Sequence, residues 1–217
     1  MISGVGIAID AEAVVVSAER GLRALSSAIV GGGVTEARSI VNLHVPRGFH
    51  CEASERVLEA FARRRGIAPP FVGLLTGAST ERAEVVEERS GDLTVCAVVT
   101  LGLSNASAAG RSPVAIWRPS TINTIVVVDA DPDPGALVNL ALTATEAKTL
   151  ALAEAGVRLP GGGLATGTST DAVVIAATGR GERARFGGPV SALGWLVARA
   201  VKSAMDAAVA RWTAEAG

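Results

Sequence analysis

ISGVGIAIDAEAVVVSAERGLRALSSAIVGGGVTEARSIVNLHV, residues 2–45, decides the fold. Apolar runs at 2–9 and 13–18 flank Asp10, Ala11 and Glu12, and read as the two strands of a hairpin. A third run, LRALSSAIV at 22–30, ends in Gly31, Gly32 and Gly33. Residues 38–45 alternate polar and apolar until Pro46 and Gly48 stop them. No helix separates these strands. The chain therefore opens on a β-meander, which favours an antiparallel start over a doubly wound one.

Beyond this stretch, helices and strands alternate less regularly. A helix is expected at 52–65, with Val57, Leu58 and Phe61 on one side, Arg63–Arg65 in its last turn and Gly66 closing it. FVGLLTGA at 71–78 reads as a short buried strand, and Ser90-Gly91-Asp92 turns a hairpin over 83–103. TINTIVVV at 121–128 is rich in β-branched residues and is expected at the centre of a sheet. The clearest helix begins after Asp133, an N-cap residue followed by Pro134, and ends at Gly156. A strand at 171–177 is expected to pair with RARFGG, and a last helix covers 189–213. These elements predict an α+β fold: a single domain over 1–217 with a mixed but largely antiparallel β-sheet layered with about three main helices.

Composition narrows the function. Net charge is −1, which argues against nonspecific nucleic-acid binding, because that mode needs a basic face. Aromatic residues are 3% and tyrosine is absent, which is too few for base-stacking modules. Cys51, Cys96, His44 and His50 are too few for a Cys/His zinc site, and no metal is expected, although a carboxylate-rich metal site stays possible. The longest uncharged run, 93–110, is interrupted by Thr94, Thr100, Ser104, Asn105 and Ser107, which argues against a membrane span. The N-terminus carries no basic leader before its acidic residue, and a cytoplasmic location is expected. The final amphipathic helix suits a core or a dimer face, so a homo-oligomer stays open.

Chemistry-bearing side chains fall into a few places. On the helix after Asp133, Leu137, Leu140, Ala141, Ala144, Ala147, Ala151 and Leu152 share one arc, and Lys148 lies within it. Such a lysine either snorkels to water or is held buried for chemistry. Glu146 lies on the opposite side with Asn139 and Thr143, because residues two apart on a helix do not face each other. ATGTSTDA, residues 165–172, packs Thr166, Thr168, Ser169, Thr170 and Asp171 around Gly167 just before a strand. It reads either as a cradle for an oxyanion or as a hydrogen-bonded Asx turn. Gly31–Gly33 allow either a close ligand approach or simple turn geometry. His44 suits a satisfied strand histidine or a base. Trp117 and Trp195 are candidate walls of a ligand cleft, or packing residues.

Several segments together resemble the adenosylcobinamide amidohydrolase family of corrinoid salvage enzymes, the CbiZ type. They are LSSAIVGGG (25–33), NLHV (42–45), VGLLTGA (72–78), VTLGLSNASAAG (99–110), STINTIVVVD (120–129), ALVNLALTATEAKTLAL (136–152), ATGTSTDAVVIA (165–176) and GGPVSALGWLVARAV (187–201). The resemblance implies hydrolysis of the aminopropanol amide of adenosylcobinamide to adenosylcobyric acid and 1-amino-2-propanol. The corrinoid is then the substrate and partner, and the resemblance implies that no cofactor is required. Amide hydrolysis needs a nucleophile, oxyanion donors and an acid for the leaving amine. Two routes follow. In one, Glu146 or Asp171 activates water, Asn105, Asn123 or the 166–168 loop stabilises the oxyanion, and Lys148 supports charge or protonates the amine. In the other, Thr168 or Ser169 attacks directly, with Lys148 as base. A non-catalytic corrinoid-binding module and an amidase of another substrate remain alternatives.

Overall fold

The computed structural model describes residues 1–46, 49, 51–114 and 120–216. The readings of Gly48, His50 and Trp117 fall outside the described residues. The opening hairpin forms as expected, with β1 (Val5–Ile9) antiparallel to β2 (Ala13–Ser26). Asp10 shapes its turn: the carboxylate oxygen Oδ1 accepts from the backbone N–H groups of Glu12 and Ala13, both at 2.9 Å. The runs at 13–18 and 22–30 are not separate strands. One strand continues through Ser26, and the register against β3 (Gly33–His44) jumps between Ser17 and Leu22. The polar residues Glu19, Arg20 and Gly21 bulge outward there, so the apolar alternation resumes in phase on the far side.

After β3 come α1 (Ser54–Arg64), β4 (Val72–Thr76), β5 (Glu84–Ser90), β6 (Leu93–Leu101), the short β7 (Ala106–Ser107), β8 (Ile122–Val128) and β9 (Asp131–Pro132). The chain ends with α2 (Pro134–Glu154), β10 (Gly167–Thr168), β11 (Ala172–Ala177), β12 (Arg183–Ala184) and α3 (Ala192–Ala216). The main sheet runs β4-β3-β2-β11-β8-β6-β5, with β1 on the first half of β2. Only the β3/β4 and β8/β11 pairs within it are parallel. The fold is thus α+β with a mixed, largely antiparallel sheet and three main helices among the described residues, as the sequence predicts.

The sheet folds over on itself. Val14, Val16, Ile40 and Leu74 of its first half share one apolar cluster with Cys96, Val98, Ile125 and Val174 of its second half. The β2 bulge lies at the hinge, because β2 passes from pairing with β1 to pairing with β11 on its far side. α1 covers the outer face of β3 and β4 through Leu58, Phe61 and Ala62. α2 and α3 cover the outer face of β6, β8 and β11 through Leu137, Leu140, Leu196 and Val201. The layers run helix, sheet, sheet, helices. No helix is long and apolar enough to cross a membrane among the described residues.

Four local expectations change. RARFGG does not pair with β11; β12 pairs in parallel with β9, and Arg183 reaches the Asp133 carboxylate. For that reason Asp133 stands at the N-cap position of α2 without a side-chain cap bond. Thr143 is buried rather than on the solvent stripe, where its hydroxyl donates to the Gly187 carbonyl at 3.0 Å. α3 starts at Ala192 with Ser191 capping it, since Gly194 N–H donates to Ser191 Oγ at 3.1 Å. Val190, inside the helix expected over 189–213, precedes α3 and is exposed.

The topology gathers loops at one end of the sheet. β8 and β11 begin there, the antiparallel β6 and β2 end there, and the Asn123–Asn42 bond brings β3 alongside from the facing layer. The segments at 26–30, 102–105, 120–121 and 166–171 therefore meet near that end.

Candidate active site

The 166–171 loop forms the centre of this end. β10 pairs with β7, and Thr166 is tied to the same segment, with its N–H donating to the Ser107 carbonyl and its Oγ1 accepting from Ala109 N–H, both at 2.9 Å. Asp171 then closes the loop. Its Oδ1 accepts from Ile122 N–H at 3.1 Å, Thr168 N–H at 3.1 Å and the Thr168 hydroxyl at 2.5 Å. Its Oδ2 accepts from Lys148 Nζ and from Thr168 N–H. The ion pair is mostly shielded, with the lysine side chain 12% and the aspartate 16% exposed. Lys148 on the apolar arc of α2 is therefore held inward against a carboxylate and does not snorkel. Gly167 makes room for this: a Cβ there would stand 2.2 Å from Asp171 Oδ2 and 2.7 Å from Lys148 Nζ.

Between the two sheet layers, Asp171 also lines a pocket of about 210 Å³ with Ser27, Thr121, Asn123 and Thr170. A buried polar network forms beneath it. Asn42 Nδ2 donates to Thr100 Oγ1 at 2.9 Å, and Asn123 Nδ2 donates to Asn42 Oδ1 at 2.8 Å and to the Leu75 carbonyl at 2.9 Å. Thr121 donates to the Thr170 carbonyl at 2.7 Å. Low dielectric strengthens such a network and makes each member expensive to leave unpaired. Both amide protons of Asn123 are thus engaged, which leaves it none for an oxyanion. The N–H groups of Thr166 and Thr168 are likewise taken by Ser107 and Asp171. The hydrogen-bonded turn, not the oxyanion cradle, describes those donors.

On the other side of the same loop lies an open cleft of about 640 Å³, where Asn105, Arg111, Gly161, Gly162 and Ser169 meet. Asn105 Nδ2 donates to Ser169 Oγ at 2.7 Å. The 166–171 loop is a partition with an ion pair at its heart and a concavity on each side.

Other expected site residues lie elsewhere. Glu146 is exposed, and α2 runs unbroken through it, so the structure does not bring it to Lys148 and Asp171. Gly31 and Gly32 pack on main chain: added Cβ atoms would stand 2.6 Å from the Phe71 carbonyl and 2.5 Å from the Ala28 carbonyl. Gly33 has φ +82° and open space around it. Turn geometry explains the three glycines, and Ser27, Ala28 and Ile29 before them line the pocket instead. His44 ends β3, and its Nδ1 lies 2.9 Å from the Ala78 carbonyl, which is the satisfied strand histidine. Trp195 is half exposed, with the Arg199 guanidinium 4.8 Å from its ring centroid, away from both concavities. Burial pushes the Cys96 thiol up to about 11, so it remains protonated and unreactive at neutral pH. No group of three His, Cys, Asp or Glu side chains gathers to hold a metal among the described residues.

Sequence reasoning missed Ser27, Asn42, Thr100 and Thr121. A signal was available for Asn42 and Asn123: an asparagine inside an otherwise apolar strand needs a buried partner. Here they are each other's partner.

The molecule is an α+β protein whose loops converge around a shielded carboxylate–ammonium pair beside an inter-sheet pocket. A family model described as adenosylcobinamide amidohydrolase matches residues 3–217, and the chain belongs to that family. It is 36% identical over 147 residues to an adenosylcobinamide amidohydrolase of Methanosarcina mazei, covering 68% of this chain and 66% of that protein. It is 32% identical over 188 residues to one of Halobacterium salinarum, covering 82% of this chain and 76% of that protein. Two solved structures overlap 95% of this chain and 83% of their own: a Pyrococcus horikoshii protein (16% identity, TM-score 0.47) and an L-aminopeptidase D-Ala-esterase/amidase from Ochrobactrum anthropi (14% identity, TM-score 0.43).

Proposed function

We propose that this chain hydrolyses the aminopropanol amide of adenosylcobinamide, in the cytoplasm, as one domain over residues 1–217. The chemistry is placed at the Asp171–Lys148 pair. The observation that carries this reading is a lysine on the apolar arc of α2, ion-paired to a carboxylate that lines a pocket. The pocket has a volume of about 210 Å³. That is room for the amide and its hydroxypropyl arm, with the macrocycle outside at the mouth.

In this reading the pair works as a proton relay, with Asp171 on the pocket wall and Lys148 behind it. Water attacks the amide carbonyl while Asp171 takes its proton, and Lys148 donates a proton to the departing nitrogen. The C–N bond breaks, and the carboxyl proton of Asp171 then passes to the neutral Lys148, which restores the ion pair. One water is consumed, and one acid and one amine leave. Thr168, bonded to Asp171 through both its N–H and its hydroxyl, holds the carboxylate in position and is a less suitable nucleophile. Ser169, whose Oγ accepts from Asn105 Nδ2, can offer its hydroxyl proton to the amide side chains of the corrinoid periphery in the adjoining cleft.

Incubation with adenosylcobinamide, followed by chromatography, tests the reading through release of adenosylcobyric acid and aminopropanol. Lys148→Ala should lower turnover about 10²-fold or more, the scale of a lost general acid. Glu146→Gln should stay within about twofold of the parent, since the carboxylate is exposed and outside the pocket. Thermal protection by the corrinoid without product would mark a binding module instead. Release of amine from simple amides but not from adenosylcobinamide would mark another amidase.

A further inference from the structure

The relay leaves the oxyanion without a donor, and the polar side chains lining the inter-sheet pocket can be taken in turn. Asn123 gives both amide protons to Asn42 and Leu75. Thr121 gives its hydroxyl proton to the Thr170 carbonyl, and Thr170 gives its own to the Ser120 carbonyl at 3.2 Å. Asp171 carries none to give. Ser27 remains.

Ser27 is strapped to the start of β11 by two bonds. Its N–H donates to the Val173 carbonyl at 3.0 Å, and its Oγ accepts from Val173 N–H at 3.0 Å. The side-chain oxygen stands in for the carbonyl that the β2/β11 ladder would otherwise offer, so its position is fixed by main chain on both sides. The hydroxyl proton meets no acceptor among the described residues, and the residue is exposed on the pocket wall shared with Asp171. A hydroxyl that already accepts a backbone N–H is polarised toward donation.

We propose that Ser27 donates its hydroxyl proton as a hydrogen bond to the scissile carbonyl oxygen of the substrate and strengthens that bond as the oxyanion forms. This rests on the amidohydrolase reading above. No bond to serine forms and no proton leaves it. Attack on the carbonyl comes from water, and the carbonyl oxygen carries the charge until the C–N bond breaks. Asp171 is the base for the attacking water in the reading above, so the Ser27 hydroxyl keeps its proton and only donates it as a hydrogen bond.

The test compares the parent, Ser27→Ala and Ser27→Thr on adenosylcobinamide, with melting temperatures and intact masses of quenched reactions. Ser27→Ala should lower kcat by about 10²–10³-fold with KM held within about twofold, as for loss of one oxyanion donor. Ser27→Thr keeps the hydroxyl and should recover most of the rate. No acyl adduct should accumulate on the chain. An active Ser27→Ala variant overturns the proposal. So does an acyl adduct on Ser27, which would make it the nucleophile. Equal loss in both variants with a lowered melting temperature would reduce Ser27 to a structural strap, and also overturns it. A parent that releases no aminopropanol fails the amidohydrolase reading itself, and the Ser27 proposal falls with it. An active parent with an active Ser27→Ala variant fails only the proposal.

Discussion

Asp171→Asn should abolish most turnover and destabilise the fold together. The carboxylate accepts on both oxygens, and every donor around it is fixed: Ile122 N–H and Thr168 N–H on the main chain, and Lys148 from a packed helix. An asparagine must point its NH₂ one way. Toward Lys148 it sets donor against ammonium; toward Ile122 it sets donor against backbone N–H. Only the Thr168 hydroxyl can turn to accept. Removing one partner of a shielded ion pair costs about 3–5 kcal/mol, and the pair here is 12% and 16% exposed. For a chain of this size that lowers the melting temperature by roughly 10 °C. Loss of the relay lowers kcat by about 10²–10⁴-fold.

A second variant separates the two effects. Lys148→Met combined with Asp171→Asn removes the stranded charge, so the double variant should regain part of the lost stability while activity stays low. Melting curves and aminopropanol release measure both. Near-parental turnover in Asp171→Asn would remove the pair from the reaction.

Much of this arrangement was legible in the sequence because it obeys local rules. The Asp10 turn, the glycine that ends α1, the β-rich centre at 121–128 and the long helix after Pro134 each follow from nearby residues alone. So did the position of Lys148 on an apolar arc, where an ammonium needs a reason to be. The α+β class followed from strands that succeed one another without helices. What escaped the sequence was non-local. Nothing in SAERG shows that one strand bulges and continues, since a polar interruption reads the same as a turn. Nothing near Asp133 shows that Arg183 claims its carboxylate. The folding of the sheet on itself brings Asn42 to Asn123, and only that contact shows the Asn123 amide to be fully engaged. Ser27 was hidden for the same reason: its meaning comes from Val173, far along the chain.

Gly167→Ala should silence the protein while leaving it folded. Gly167 has no left-handed backbone, so alanine meets no conformational objection there. The objection is space. The added Cβ would lie 2.2 Å from Asp171 Oδ2, 2.7 Å from Lys148 Nζ and 3.3 Å from Asp171 Cγ. Lysine has a long stem and can retreat, but the aspartate is short and held by four donor groups. Relief therefore comes from separating the ion pair or dragging the 166–171 loop off β7. Overpacking of this kind costs about 1–3 kcal/mol, which a folded chain survives. Misplacing the reacting groups by about 1 Å costs about 10²-fold or more in rate. Gly135→Ala supplies the control: it lies in the first turn of α2 with nothing within 4 Å of its added Cβ. That change should leave turnover intact and raise stability by about 0.5–1 kcal/mol. If Gly167→Ala keeps parental kcat while its melting temperature falls, the pair belongs to the scaffold. If kcat collapses with little change in melting temperature, the small space at Gly167 exists to let the carboxylate and the ammonium meet.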